Sequence, residues 1–261
     1  FGFSTAAQIR DNIPVEIEEN SAMTYAATPF GETVSRLYLD PLSGHIIRRG
    51  LRRAVRITQG LDESRSLTPS GLIHMISCTP DFMPMWVKSK EIDAMDAKTE
   101  SLRTEMLLTK EELRDVRIQT DPEHERMRVK SLSVLEFWME EKTFREIEND
   151  FGSQPGDVRT RVDLAEWLLY SARRMLASDE EVMKEATEAS SRVIEWISET
   201  QRRIRYGCKA DLLGLVGIRN VGRVRAREMK SIGLETTNDV ADMGPRDRTE
   251  LEKIRGWSPR L

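Results

Sequence analysis

Apolar residues recur at helical rather than alternating spacing through most of this 261-residue chain. Asp40-Pro41 opens a helix through Leu42, Ile46, Ile47 and Leu51, because proline at the first helical turn behind an aspartate is a start signal. Thr68-Pro69 starts a short apolar helix over 68–79, ended by Pro80 and Pro84. A polar helical stretch is expected across 87–117, and Asp121-Pro122 begins a helix reaching about Lys142, with Leu132, Leu135, Phe137 and Trp138 on its apolar face. A short helix over 143–151 is stopped by Gly152, and Pro155-Gly156-Asp157 starts one reaching about Leu176. A last long helix is expected over 179–206, carrying Val182, Ala186, Ala189, Val193, Ile194 and Ile197. Six or more helices between Pro41 and Tyr206 predict a bundle. Alternation in Ile13-Pro14-Val15-Glu16-Ile17 and Met23-Thr24-Tyr25-Ala26-Ala27 suggests a strand before it.

Composition supports a mainly α class: aromatics are sparse at 6% and charged residues make up 32%. No apolar run approaches the ~20 residues of a membrane span, and residues 1–27 do not look like a signal peptide, so a cytoplasmic location with no membrane partner is expected. Cys78 and Cys208 read as reduced thiols, neither in a CxxC pair. The net charge of −4 is unevenly spread. Residues 201–261 hold 14 Lys and Arg against 8 Asp and Glu, a net of +6, which leaves −10 for residues 1–200. A local basic excess favours phosphate by counterion release.

That basic end contains a glycine-cornered stretch, Leu212 onward through Gly217, Asn220-Val221-Gly222 and Gly233. A helix over 209–216 would end at Gly217 and another would begin at Gly222, leaving the amides of Val221, Gly222 and Arg223 at a positive helix end that suits a phosphate. Asn220 tolerates the positive φ that the turn needs. Arg219, Arg223, Arg225 and Arg227 surround the corner, and the whole resembles the helix-hairpin-helix of DNA repair proteins and helicases. A second corner is expected from Ile254-Arg255-Gly256-Trp257. The arginines of the second helix, Arg48, Arg49, Arg52 and Arg53, read as a solvated face.

Chemistry of other kinds is not indicated. There is no GxxxxGK[ST] loop, no acidic DExH-like motif and no nucleophile motif, so no catalytic residue is assigned. His45, His74 and His124 stand apart from Cys or carboxylates at metal spacing and read as packed or surface residues, so no metal ligand is assigned. On the helix from Pro155, Arg159 and Arg161 precede Trp167. A tryptophan offers a base a stacking surface and arginine holds a phosphate, yet Val162, Leu164, Leu168 and Leu169 are equally consistent with a core tryptophan.

Taken in order, Thr28-Pro29-Phe30-Gly31, Val34-Ser35-Arg36-Leu37-Tyr38-Leu39-Asp40-Pro41-Leu42-Ser43, Cys78-Thr79-Pro80-Asp81, Pro155-Gly156-Asp157, Ala165-Glu166-Trp167-Leu168 and the terminal hairpin resemble the C-terminal half of archaeal HelQ-type, Ski2-like superfamily 2 DNA helicases. The resemblance implies a winged-helix remnant over 1–57, a Sec63-type ratchet bundle over 58–206 and a helix-hairpin-helix domain over 207–261. It implies attachment to two RecA-type motor domains that hold ATP and Mg2+, with no cofactor on this chain itself. Single-stranded and forked DNA are the implied partners, and 3′-to-5′ unwinding of forks and repair intermediates the implied activity of the whole. In such helicases an Arg and a Trp two turns apart on the ratchet helix contact the strand. Trp167 takes the tryptophan place, and with Thr160 seven residues earlier, Arg159 or Arg161 would substitute for the arginine. An RNA helicase region or a Sec63-type protein scaffold would share the same pieces.

Overall fold

The structure is a computed structural model that describes residues 26–252; the expected strand at 13–17 and 23–27, apart from Ala26 and Ala27, and the second glycine corner at 254–257 lie outside the described residues. Among these the regular elements are helices: α1 (Pro29–Arg36), α2 (Pro41–Thr58), α3 (Pro69–Ser77), α4 (Ile92–Ser101), α5 (Lys110–Asp115), α6 (Pro122–Met139), α7 (Phe144–Phe151), α8 (Pro155–Ser178), α9 (Glu180–Glu185), α10 (Thr187–Tyr206), α11 (Arg223–Ser231), α12 (Thr237–Ala241) and α13 (Pro245–Glu252). The mainly α class is therefore observed, and no described helix is long and apolar enough to cross a membrane.

Local chemistry sets the starts. Thr28, Thr68, Thr109, Thr143 and Thr236 each accept a first-turn amide on the side-chain oxygen, and proline follows at N1 after Thr28, Asp40 and Thr68. Gly152 ends α7 at φ 58 in the left-handed region. Two expectations fail. The polar stretch over 87–117 is broken into a 3-10 turn (Ser89–Glu91), α4 and α5. The helix expected over 179–206 breaks at Ala186 (φ −146, ψ 51), where the Thr187 hydroxyl donates to the Met183 carbonyl that an unbroken helix would offer to the Thr187 amide.

The chain folds into two compact units, each made of two segments. The first holds the described residues up to Leu132 with Trp167–Ser198. Its centre is α3, buried from Gly71 to Ser77, against which α2 lays Ile46, Ile47, Leu51 and Ala54. The α2 arginines are not the solvated face expected of them. Arg48 donates to Asp179 at 2.7 Å, Arg52 pairs with Glu181, Arg53 is bidentate on Glu112 at 2.8 and 2.9 Å, and Arg49 lies 3.3 Å from Glu112. Those acids lie 59 to 131 positions downstream, beyond any local pattern. His74 is likewise not isolated: its Nε2 lies 2.9 Å from the buried Glu125 carboxylate, with the Cys78 sulfur 3.9 Å from Nδ1.

The second unit holds Ser133–Glu166 and the described residues from Glu199. Cys208, Leu212, Leu215, Val216, Ala226, Met229, Leu234 and Leu251 form the core under the hairpin.

Candidate nucleic-acid interface

The glycine corner is built mostly as its sequence requires. Asn220 takes φ 65, the left-handed value expected of it, and the α11 helix begins directly behind Gly222 with no side-chain cap. Gly222 itself sits at φ −86 and ψ 174, extended backbone that any residue adopts, and a Cβ there would meet nothing within 4 Å. Neither strain nor crowding within the protein calls for glycine at 222. The exposed approach to the first-turn amides of α11 is thus left open on the solvent side.

Two details differ from the sequence reading. The segment over 209–216 is not an α-helix but a 3-10 turn (Ala210–Leu212) that continues in tight turns. Gly214 lies where a Cβ would come 2.8 Å from the Glu235 carbonyl oxygen, so a side chain there would crowd that backbone. The Val221 amide does not point outward, because it donates to the Ile218 carbonyl at 3.0 Å while the Val221 side chain packs on the hairpin core.

The four arginines divide by where they point. Arg219 is exposed at the turn. Arg225 folds one guanidinium nitrogen back onto the Asn220 carbonyl at 2.6 Å, bracing the left-handed residue. Arg227 forms ion pairs with Glu141 and with Asp211 at 2.7 Å, which raise its pKa and hold the Asp211 carboxyl down at about 2. Arg223 is half-buried. It donates to the carbonyls of Trp138 (3.2 Å), Gly207 (2.9 Å) and Lys142 (2.9 Å), and its guanidinium stands 4.0 Å from the Trp138 ring centroid. Burial lowers its pKa. One side chain thereby bonds carbonyls at and just beyond the ends of α6 and α10, of which that of Trp138 also accepts the Glu141 amide at 3.2 Å. Gly207 makes this possible: it sits at φ 60, and a Cβ would lie 2.4 Å from the Trp138 ring. Trp138 also stacks on Phe144 at 5.2 Å and donates its indole N–H to the Ile204 carbonyl at 2.7 Å.

On α8 the sequence-predicted residues do not converge. Arg159 is exposed and 3.4 Å from Asp163, one helical turn on. Arg161 is half-buried, its Nε enclosed without a hydrogen-bond partner. The Thr160 hydroxyl is turned back onto the Gly156 carbonyl at 3.0 Å. Trp167 is half-buried, while its neighbours Leu168 and Leu169 are fully buried.

The helical part of the chain is decisive for ancestry, since a family model described as archaeal helicase, domain 4 matches residues 70–207, more than half the chain. The chain belongs to this family. The match runs from α3 through α10 and includes Trp167, while the glycine corner lies outside it. Similar relatives carry the name ATP-dependent DNA helicase Hel308: that of Pyrococcus abyssi (strain GE5 / Orsay) is 28% identical over 87% of the chain and 28% of its own length. That of Pyrococcus horikoshii is 27% identical over 87% of the chain and 28% of its length, and that of Methanococcus vannielii 28% identical over 84% and 26%. The chain thus spans little more than a quarter of the length of the curated relatives it matches. In this archaeal helicase domain the described residues hold no group of three or more His, Cys, Asp or Glu arranged for a metal.

Proposed function

We propose that this chain is a DNA-binding accessory region of an ATP-dependent 3′-to-5′ DNA helicase acting on forks and repair intermediates, where it guides single-stranded DNA. The observation that carries the reading is the uncovered N-terminus of α11. Its first-turn amides lack a side-chain cap, its capping residue is a glycine the protein itself does not need, and Arg219 is exposed three residues before it. A positive helix end with open amides accepts a phosphate oxygen, and Arg219 adds charge at the same corner. Arg225 braces the turn, and Arg223 and Arg227 hold α11 in place, so their contribution to binding is to position the amides. The ratchet role falls to α8, with Trp167 stacking on a base and Arg159 or Arg161 near the strand. Binding of this kind carries little base information, so affinity would be largely independent of sequence. ATP and Mg2+ belong, on this reading, to RecA-type motor domains of a longer polypeptide.

Gly222→Asp gives the sharpest test, because the two consequences have opposite signs. As an N-cap, Asp takes a first-turn amide on its own carboxylate, so thermal stability should hold or rise by a few tenths of a kcal/mol. The same carboxylate occupies and repels what a phosphate would use, so affinity for a labelled oligo(dT) should fall at least about tenfold. Unchanged affinity in a folded Gly222→Asp chain would refute the clamp. Equal-length DNA and RNA strands, titrated across salt, separate a DNA from an RNA role, and no affinity for either at low salt would leave the scaffold reading.

A further inference from the structure

We infer that the cavity lined by α3, α4, α5 and α6 in the first unit is a binding site for a small phosphate monoester. It stands apart from the strand contacts proposed above.

The site begins with a histidine that its helix carries inward. The helix α3 is buried from Gly71 to Ser77, so the imidazole of His74 leaves water with its apolar neighbours. Burial would lower its pKa, yet the Cys78 sulfur and the Glu125 carboxylate raise it to about 10, which makes the ring an imidazolium at neutral pH. Glu125 divides its carboxylate: Oε1 lies 2.9 Å from His74 Nε2, and Oε2 accepts from Arg128 at 3.2 Å. All three side chains are buried, so one carboxylate serves two cations. Such an excess of buried charge is costly until a further anion meets it.

Room for that anion lies beside the pair. His74 and Glu125 line a cavity of about 310 Å³, at the small end of the range for ligand sites. Arg65, Arg103 and Lys110 line it as well, with Glu111 as the further carboxylate. Lys110 is exposed and forms no ion pair among the described residues. Glu100 offsets Arg103 from outside the cavity at 2.7 Å. Arg65 is held by the carbonyls of Arg103 and Met106 and lies 3.9 Å from the Asp62 carboxylate. The Thr109 hydroxyl oxygen accepts the Glu112 amide at 3.2 Å, which leaves its proton for a ligand oxygen.

This lining selects the ligand by charge and by shape. A cation would be repelled, whereas a phosphate presents several oxygens to Lys110, Thr109 and an arginine at once and carries roughly −1.5 to −2 charge as a monoester at pH 7. Met106, Leu108 and Leu113 supply apolar lining, so an organic body on the phosphate gains contact that inorganic phosphate lacks.

The 261-residue chain is titrated by calorimetry with glycerol 3-phosphate, with inorganic phosphate and with glycerol at constant ionic strength, and each variant's melting curve is recorded. Glycerol 3-phosphate should bind saturably at one site and more tightly than inorganic phosphate, while glycerol gives no heat of binding. Lys110→Met should melt as wild type and bind glycerol 3-phosphate at least about tenfold more weakly, the loss of one charge-assisted hydrogen bond. Lys184→Met, on α9 and outside the cavity lining, should bind as wild type. The His74 imidazole resonance, assigned by its absence in His74→Gln, should shift on saturation. No saturable binding of either anion overturns the site, as does an equal loss in Lys110→Met and Lys184→Met or a His74 resonance that stays in place. Inorganic phosphate binding as tightly as the ester overturns the monoester assignment.

Discussion

Asn220 holds the corner at φ 65, a value that costs a residue with Cβ roughly 1–2 kcal/mol and that asparagine bears better than most. Its carbonyl is in turn held by Arg225 at 2.6 Å. Asn220→Val should therefore lose about 1–2 kcal/mol in urea denaturation, while Asn220→Gly stays within about 0.5 kcal/mol of wild type. A Val variant as stable as the Gly variant would show that the left-handed turn is not under strain. This residue was legible in the sequence, because the preference for positive φ is a property of the side chain alone. Arg223 was not legible. Its partners, the carbonyls of Gly207, Lys142 and Trp138, stand 16, 81 and 85 residues away, so an arginine beside a glycine corner read as a phosphate ligand when it satisfies helix ends instead.

Helix starts were read well for the same local reason, and helix interiors less well. Asp and Thr caps followed by proline fix the starts of α2 and α3, and Gly152 fixes the end of α7. The break at Ala186 and the 3-10 winding at Ala210–Leu212 were missed, since each depends on a backbone contact that periodicity does not encode. The cap of α7 can be tested directly. Thr143 Oγ1 accepts the Glu146 amide at 3.2 Å, the Glu146 carboxylate accepts the Thr143 amide at 2.8 Å, and these bonds hold Glu146 at a pKa of about 2. Thr143→Ala should cost about 1 kcal/mol by thermal or urea unfolding, with Thr143→Ser recovering most of it. If Ser and Ala variants melt together, the hydroxyl is not the cap. Because α7 presents Phe144 to Trp138 at 5.2 Å, the loss should also appear as a change in tryptophan fluorescence.

At the scale of the molecule, the sequence conveyed the helical class and the charge asymmetry, and it missed the buried ionic network of the first unit. His74 and Glu125 are 51 residues apart in sequence and both buried, with Arg128 3.2 Å from Glu125 and Cys78 beside the imidazole. Burial alone would lower the His74 pKa, but the Cys78 sulfur and the Glu125 carboxylate outweigh it and raise it to about 10. Burial likewise opposes ionisation of Glu125, which its bonds to His74 and the charge of Arg128 nonetheless hold down at about 2. The consequences for stability follow from the directions. A histidine raised from 6.5 contributes fully below pH 6.5 and loses that contribution as pH rises toward 10, whereas a glutamate lowered from 4.5 contributes above pH 4.5 and loses it as pH falls toward 2. The pair is therefore strongest between pH 4.5 and 6.5. Acid loss is shared with Asp121, Glu146 and Asp211, all lowered to about 2, so the alkaline limb is the diagnostic one. The buried Cys208 thiol, raised from 9.0 to about 11, adds to that limb only above pH 9. Between pH 6.5 and 9 the unfolding free energy should fall by up to about 1.4 kcal/mol per pH unit, the value for one proton. His74→Gln should flatten that slope while leaving the acid limb in place, as read from urea titrations at half-unit steps of pH. A slope that survives His74→Gln unchanged would place the alkaline loss elsewhere and show that the imidazole is neutral in the folded chain.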